Sequence, residues 1–201
     1  MRELIINDEK RFYSRIWLYR SFIYKNTKFI SKVKDFQVNE CIKALNIKNS
    51  KDRISFIIDS ACDFIDNKHK GENICGFKDC KCFIQRLKKK NQVNGCCRYC
   101  KYVSSSGCTS KSVACKLFNC SEVTNRYDMV EYKDLKMLKV LSPQQRMIVK
   151  HGLFTPKEQI IKDIQPNLLI YGAVRLLVVS VFLNILPNYI RSKRGNHARK
   201  A

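Results

Sequence analysis

Nine of the chain's eleven cysteines are crowded between positions 75 and 120, and this crowding constrains the fold more than any other feature of the sequence. They are Cys75, Cys80, Cys82, Cys96, Cys97, Cys100, Cys108, Cys115 and Cys120. The same stretch lacks a helical pattern and is punctuated by glycines, which is typical of loops held together by metal or disulfides. We therefore divide the chain into residues 1–70, a cysteine-rich module at 71–125, and residues 126–201.

The cellular compartment decides between metal and disulfides. The first residues, MRELIINDEKRFYS, contain no apolar run of signal-peptide length, which indicates a cytoplasmic protein. Because disulfides do not persist in a reducing cytosol, we expect the cluster to bind metal, with a disulfide framework as the alternative. The other two cysteines, Cys41 and Cys62, recur with apolar residues at helical spacing and are predicted to be small buried side chains.

The cysteine spacing suits thiolate ligands. It runs C-x4-C-x-C, then thirteen residues, then CC-x2-C-x7-C-x6-C-x4-C. Zinc and [4Fe–4S] clusters each take four such ligands, so nine cysteines are enough for two sites. The preferred ligands are Cys97, Cys100, Cys108, Cys115 and Cys120. The sequence therefore predicts zinc or an iron–sulfur cluster as the cofactor, and it leaves the choice open.

The stretch at 96–120, CCRYCKYVSSSGCTSKSVACKLFNC, resembles the YkgJ-type cysteine-cluster family, whose members are regarded as zinc- or iron-chelating. The shared features are the adjacent cysteine pair, Gly107-Cys108, Cys115 followed by a basic residue, and a final Cys120 after an apolar pair. Ser112, Val113 and Ala114 stand where the family usually has Arg-Pro. The resemblance implies a metal-chelating module and does not imply an enzyme.

The charge of the chain indicates a polyanionic partner. The sequence has 39 basic and 17 acidic residues, a formal net charge of +22, which attracts nucleic acid, anionic lipid or acidic proteins. An acid-free basic stretch lies inside the module, beside Phe83, Tyr99 and Tyr102. Cations that release counterions and aromatic rings that stack on bases are the ingredients of single-strand binding, although a solvated loop is the alternative. The candidate nucleic-acid-binding residues are Arg86, Lys88, Lys89, Lys90, Arg98 and Lys101.

The regions that flank the module have the apolar spacing of helices, so we predict a mainly α-helical fold with an inserted irregular metal-binding module. Residues 8–70 are predicted to be helical, with Asn49 or Ser50 capping one helix. The aromatic residues between 12 and 24 suit a core face better than an RNA-stacking platform. Ser142-Pro143-Gln144-Gln145 is a capping box that begins a helix ending near Gly152, and Thr155-Pro156 begins another.

The apolar segment at 168–186 is long enough to cross a membrane. Arg175 near its middle would cost about 2.5–3.5 kcal/mol there, and its apolar residues could offset that cost. Insertion would leave the basic C-terminal tail outside, against the positive-inside tendency. We therefore expect a core helix, with membrane association as the alternative.

Together these patterns favour a binding or regulatory module with a structural metal and a basic surface for nucleic acid. An iron–sulfur or thiol-dependent redox or maturation enzyme is the second class, so the sequence leaves enzymatic activity undecided. It contains no HExxH, P-loop, dinucleotide fingerprint, nucleophile elbow or paired carboxylates.

Overall fold

The protein is seen in a computed structural model that describes residues 2–69, 75, 78, 81–87, 102–104, 107–125 and 127–165. The chain divides into two compact units, residues 1–162 and residues 163–201. The described part of the first unit is mainly α-helical, as predicted. Its helices are α1 (Glu9–Leu18), α2 (Phe36–Asn46), α3 (Ser50–His69), α4 (Phe83–Leu87), α5 (Val113–Leu117), α6 (Ser121–Thr124) and α7 (Pro143–His151). Residues 157–165 are also helical.

A parallel pair of strands interrupts the N-terminal helices. Strand β1 (Arg2–Ile6) pairs with β2 (Thr27–Ser31), in register from Arg2 opposite Thr27 to Ile6 opposite Ser31. The prediction of helix throughout 8–70 is therefore wrong at β2. The reason is local, because Thr27 and Phe29 are buried alternately with exposed Lys28, which is the period of a strand. The side chain of Asn46 then completes the outer edge of β2 by accepting from and donating to the backbone of Phe29, at 2.8 and 2.9 Å.

The core is built around α3. Its inward face consists of Ile54, Ile57, Ile58, Ala61, Cys62 and Ile65, each at most 1% exposed. This face packs against α2, against α5 and against a 3₁₀ segment, Lys136–Val140. Asn49 accepts hydrogen bonds from the backbone N–H groups of Lys51 and Asp52, which confirms the predicted cap.

The two isolated cysteines are confirmed as buried core residues. Cys41 and Cys62 are both fully inaccessible to solvent. Burial raises the pKa of the Cys62 thiol to about 12, and burial raises the pKa of Cys41 still further above its ordinary value. Both thiols are therefore uncharged at neutral pH and pack as small apolar groups.

The capping box before α7 is also confirmed. Ser142 Oγ accepts from the N–H of Gln145, whose side chain accepts in turn from the N–H of Ser142, and Pro143 occupies the first helical position. The helix ends at His151, with Gly152 as its cap.

The described residues include no helix with both the length and the apolar composition needed to span a bilayer. The segment at 168–186, including Arg175, lies outside the described residues, so its assignment remains a prediction.

A buried carboxylate joins α2 to α3 and gives a test of this core. Glu40 is 8% exposed in its side chain; Oε2 accepts from Ser60 Oγ at 2.7 Å and Oε1 accepts from Lys43 Nζ at 2.7 Å. We expect Ser60→Ala to lower the free energy of unfolding by about 1.5–3 kcal/mol, because a buried charge loses a donor. Urea unfolding followed by circular dichroism measures this change.

The matched control for that experiment is Ser14→Ala. The Ser14 hydroxyl is exposed and bonds only within α1, to the carbonyl of Arg11 at 2.9 Å. Its removal should change stability by less than about 0.5 kcal/mol. Equal effects of the two substitutions would contradict the role assigned to Glu40.

Candidate metal centre

Two of the predicted ligands, Cys75 and Cys82, lie beside a hydrogen-bonded pair of lysines. The backbones of Lys78 and Lys81 exchange two hydrogen bonds of 2.9 and 3.0 Å, and the N–H of Phe83 donates to the carbonyl of Cys75 at 2.9 Å. Cys82 is buried and comes directly before α4, where its carbonyl accepts from the N–H of Arg86. These hydrogen bonds bring the backbones of Cys75 and Cys82 close together.

A β-hairpin positions a third cysteine. Strand β3 (Val103–Ser104) pairs antiparallel with β4 (Gly107–Cys108), so that Val103 lies opposite Cys108. The hairpin is closed beyond Cys108 by Thr109, whose N–H and hydroxyl both donate to the carbonyl of Tyr102 at 2.9 Å. Because both strands have only two residues, pairing alone holds Cys108 weakly.

The fourth cysteine begins a helical turn. Cys120 precedes α6, and its carbonyl accepts from the N–H groups of Val123 and Thr124, each at 3.0 Å. Its side chain is half-buried, like those of Cys75 and Cys108.

The other three cysteines lie within electrostatic range of Cys75. The pKa of the Cys75 thiol is raised to about 11, first by burial and then by the nearby sulfurs of Cys120, Cys82 and Cys108. Three separate segments thus supply sulfur atoms to one neighbourhood. Within the described part of the chain, no group of three or more His, Cys, Asp or Glu side chains has the spacing of a ready-made metal site. The cluster is therefore a proximity of four soft donors, not a formed ligand shell.

Cys115 has a different environment. It is buried on α5, and its sulfur accepts a hydrogen bond from the backbone N–H of Phe154 at 3.1 Å. It is not among the groups that raise the pKa of Cys75. Immediately before this helix, Ser112 Oγ donates to the carbonyl of Gly152 at 2.8 Å. Cys115 and Ser112 therefore attach α5 to the turn that follows α7.

The remaining predicted site residues are placed as follows. Arg86 is exposed on α4, and its guanidinium donates to the carbonyl of Lys81 at 3.1 Å. The others lie outside the described residues: Cys80, Cys96, Cys97, Cys100, Lys88, Lys89, Lys90, Arg98 and Lys101.

Lys116 joins the cysteine-rich module to the helical core, and sequence reasoning missed it. Its side chain is only 10% exposed; Nζ donates to both carboxylate oxygens of Asp66 on α3, at 2.7 and 2.8 Å, and to the carbonyl of Cys108 at 3.2 Å. One ammonium group thus links α3, α5 and β4. The signal in the sequence was the spacing of Asp59, Asp63 and Asp66, which places three carboxylates along α3.

The comparisons with known proteins identify no family for this chain. No protein-family model matches it, and neither a curated protein nor a solved structure matches it. The resemblance of residues 96–120 to the YkgJ-type family therefore stays a prediction.

The link through Lys116 can be tested by removing its charge. We expect Lys116→Met to lower the free energy of unfolding by about 2 kcal/mol, between the values typical of exposed and buried ion pairs, because Asp66 is itself half-exposed. Chemical denaturation provides the measurement.

Lys111→Met is the matched control. Lys111 pairs with Asp63 on the same helix at 3.0 Å, but both side chains are more than half exposed, so its loss should cost less than about 0.5 kcal/mol. A Lys111 variant as unstable as the Lys116 variant would show that surface charge, and not the bridge to Cys108, sets the effect.

Proposed function

We propose that the protein binds zinc or an iron–sulfur cluster through the cysteine-rich module, and that Cys75, Cys82, Cys108 and Cys120 form one set of ligands. The observation that carries the proposal is that Cys82, Cys108 and Cys120 act electrostatically on the half-buried Cys75, the last two from segments distant in the sequence. Four thiolates are the donor set that both zinc and [4Fe–4S] clusters take.

The shortness of the local elements supports a metal-organised module. Helices α4, α5 and α6 have four or five residues, and β3 and β4 have two each. Elements of this length are unstable alone, because each buries little surface and closes few hydrogen bonds. Metal–thiolate bonds supply folding free energy in modules of this kind.

A bound cation would reverse the electrostatic effect that the cluster has on thiol ionisation. Without a cation, ionisation of the Cys75 thiol is disfavoured first by burial and then by the nearby sulfurs of Cys120, Cys82 and Cys108, as its raised pKa reflects. A bound metal supplies positive charge at the sulfurs and stabilises their ionised form. The arrangement thus suits a cation, which would replace the proton on the Cys75 thiol.

A binding or regulatory role follows as the proposed class, with nucleic acid as the partner. The net charge of +22 and the exposed Arg86 at the edge of the described module support it. The remaining cysteines, Cys80, Cys96, Cys97 and Cys100, are proposed to complete the first set of ligands or to form a second.

Metal content and ligand substitutions test the proposal together. We expect protein purified without oxygen to contain one or two equivalents of zinc, or iron with sulfide and visible colour, by elemental analysis and absorption spectroscopy. Serine at Cys75, Cys82, Cys108 or Cys120 should remove at least one equivalent, because a hydroxyl ligates these metals poorly.

Cys115→Ala is the control within the same module, and it should keep the full metal content because its sulfur faces the backbone of Phe154. Loss of metal from this variant alone would refute the proposed set of ligands. Metal-free protein with paired cysteines would refute metal binding altogether, and iron with redox activity would favour the enzyme class.

Metal binding should also release protons. The Cys75 thiol, with its pKa near 11, is protonated at pH 7, and the metal must displace that proton. We therefore expect zinc affinity to rise with pH between 6 and 8, by about tenfold per pH unit for each proton released. Calorimetric titrations in two buffers with different ionisation enthalpies count the protons, and a pH-independent affinity would rule out thiol ligands.

A further inference from the structure

One edge of the N-terminal sheet is unpaired in the part of the chain that the structure describes. This sheet consists of β1 and β2 alone. The outer edge of β2 is occupied, since the side chain of Asn46 bonds both the N–H and the carbonyl of Phe29. Among the described residues, no group pairs with the outer edge of β1. A further strand can therefore be added to the sheet at β1.

The register of the sheet determines which backbone groups lie along that edge. The carbonyl of Ile6 accepts from the N–H of Lys32 at 2.8 Å, so the backbone of Ile6 faces β2. Because successive residues of a strand direct their backbone groups to opposite sides, Leu4 also faces β2, whereas Glu3 and Ile5 face away from it. The open edge therefore offers the N–H and carbonyl groups of Glu3 and Ile5.

Strand β1 lacks the devices that protect an edge from pairing. Natural edges carry a proline, a bulge or a central charge. The centre of β1 is Leu4-Ile5-Ile6, and its pairing with β2 is unbroken. Its charged residues, Arg2 and Glu3, lie at its start, and the side chain of Ile5 is 52% exposed. A β-branched side chain in this position suits contact with the side chains of an added strand.

A cleft of about 290 Å³ opens beside this strand. Its described lining comes from β1, from the two residues after it and from one face of α1, and it includes no residue of β2. The cleft therefore lies at the β1 side of the sheet, where the open edge is.

The charges that line the cleft favour an acidic partner. Arg11 and Arg15 are exposed and one helical turn apart, and neither guanidinium pairs with a carboxylate in the described part of the chain. The carboxylate in the lining is that of Asp8, which caps α1 by accepting from the N–H of Arg11 at 2.7 Å. A guanidinium group matches the geometry of a carboxylate and can bind it with two hydrogen bonds.

An acidic strand fits this edge better than a second copy of the chain does. Two copies paired through β1 would bring together two chains that each have a net charge of +22. In an added strand, main-chain hydrogen bonds provide affinity and alternate side chains provide specificity. Acidic residues on one face of that strand would meet the arginines of the cleft, and β-branched residues on the other would lie beside Ile5.

We propose that the open edge of β1 binds an extended acidic segment of a partner protein. The segment adds to the sheet as a third strand, and its carboxylates pair with Arg11 and Arg15. This binding needs neither the cysteine-rich module nor a metal.

A displayed library of random peptides supplies the probe. The peptides are about seven residues long, enough to span the five residues of β1, and are selected on the full-length protein. We expect enrichment of sequences in which valine, isoleucine or threonine alternates with aspartate or glutamate. No enrichment, or enrichment of sequences without acidic residues, would overturn the proposal.

Amide hydrogen exchange followed by NMR then locates the enriched peptide, made synthetically. Saturation with it should slow exchange at the N–H groups of Glu3 and Ile5 by at least about tenfold, because they become hydrogen-bonded. The N–H groups of Leu4 and Ile6 face β2 already and should change little. Unchanged exchange at Glu3 and Ile5 would exclude strand addition.

Ile5→Pro removes one N–H of the open edge. Proline is tolerated in an edge strand where its missing N–H would face solvent. We expect the labelled peptide to bind about 5- to 100-fold more weakly by fluorescence polarisation, because a peptide carbonyl loses its donor. Ile5→Val keeps both the donor and a β-branched side chain, and its affinity should stay within about twofold of the original.

Charge substitutions test the cleft without altering the strand. Arg11→Gln and Arg15→Gln should each weaken binding about 5- to 20-fold, and should have little effect on a peptide whose acidic residues are replaced by their amides. Lys10→Gln is the control, because Lys10 is exposed on the same helix and does not line the cleft. Circular dichroism spectra establish that each variant is folded.

Two further results would contradict the proposal. Equal affinity for the acidic peptide and its amide counterpart would leave the arginines without a role in recognition. Protection of the Glu3 and Ile5 amides in the free protein, together with sedimentation as a dimer, would assign the edge to a second copy of the chain.

Discussion

Three carboxylates on one face of α3 form ion pairs with three lysines from distant parts of the chain. Asp59 pairs with Lys157, Asp63 with Lys111, and Asp66 with Lys116, over sequence separations of 98, 48 and 50 residues. The apolar face of the same helix is held by packing instead, since six of its side chains are buried. Helix α3 is thus bonded on one side and packed on the other, and the later segments are positioned by it.

The cysteine-rich module depends on that helix for its position. Lys116 bridges the carbonyl of Cys108 and the carboxylate of Asp66, and α5 contacts α3. Ser112, just before α5, and Cys115 on α5 form hydrogen bonds with the turn after α7. The core therefore places one side of the module, and the proposed metal would join the other segments to it. Support from both the core and a metal is expected where the local elements are too short to be stable alone.

In the N-terminal segment, packing against the core determines which aromatic side chains are buried and which are exposed. Burial of Phe12, Ile16 and Tyr19 fixes α1, and the π turn that follows redirects Phe22 toward Trp17. Trp17 and Phe22 are 54% and 56% exposed, so the prediction that the aromatic segment forms core is confirmed for Phe12 and Tyr19 and wrong for these two rings.

The sequence by itself determined the features that depend on near neighbours: the caps at Asn49 and Ser142, the helical periodicity, and the burial of Cys41 and Cys62. Only the tertiary structure decided which cysteines lie within electrostatic range of Cys75, because Cys108 and Cys120 come from segments distant in the sequence. It also decided the pairing of β1 with β2 and the exposure of Trp17. Parallel pairing needs a partner across an intervening helix, and a single π turn changes which face a side chain takes.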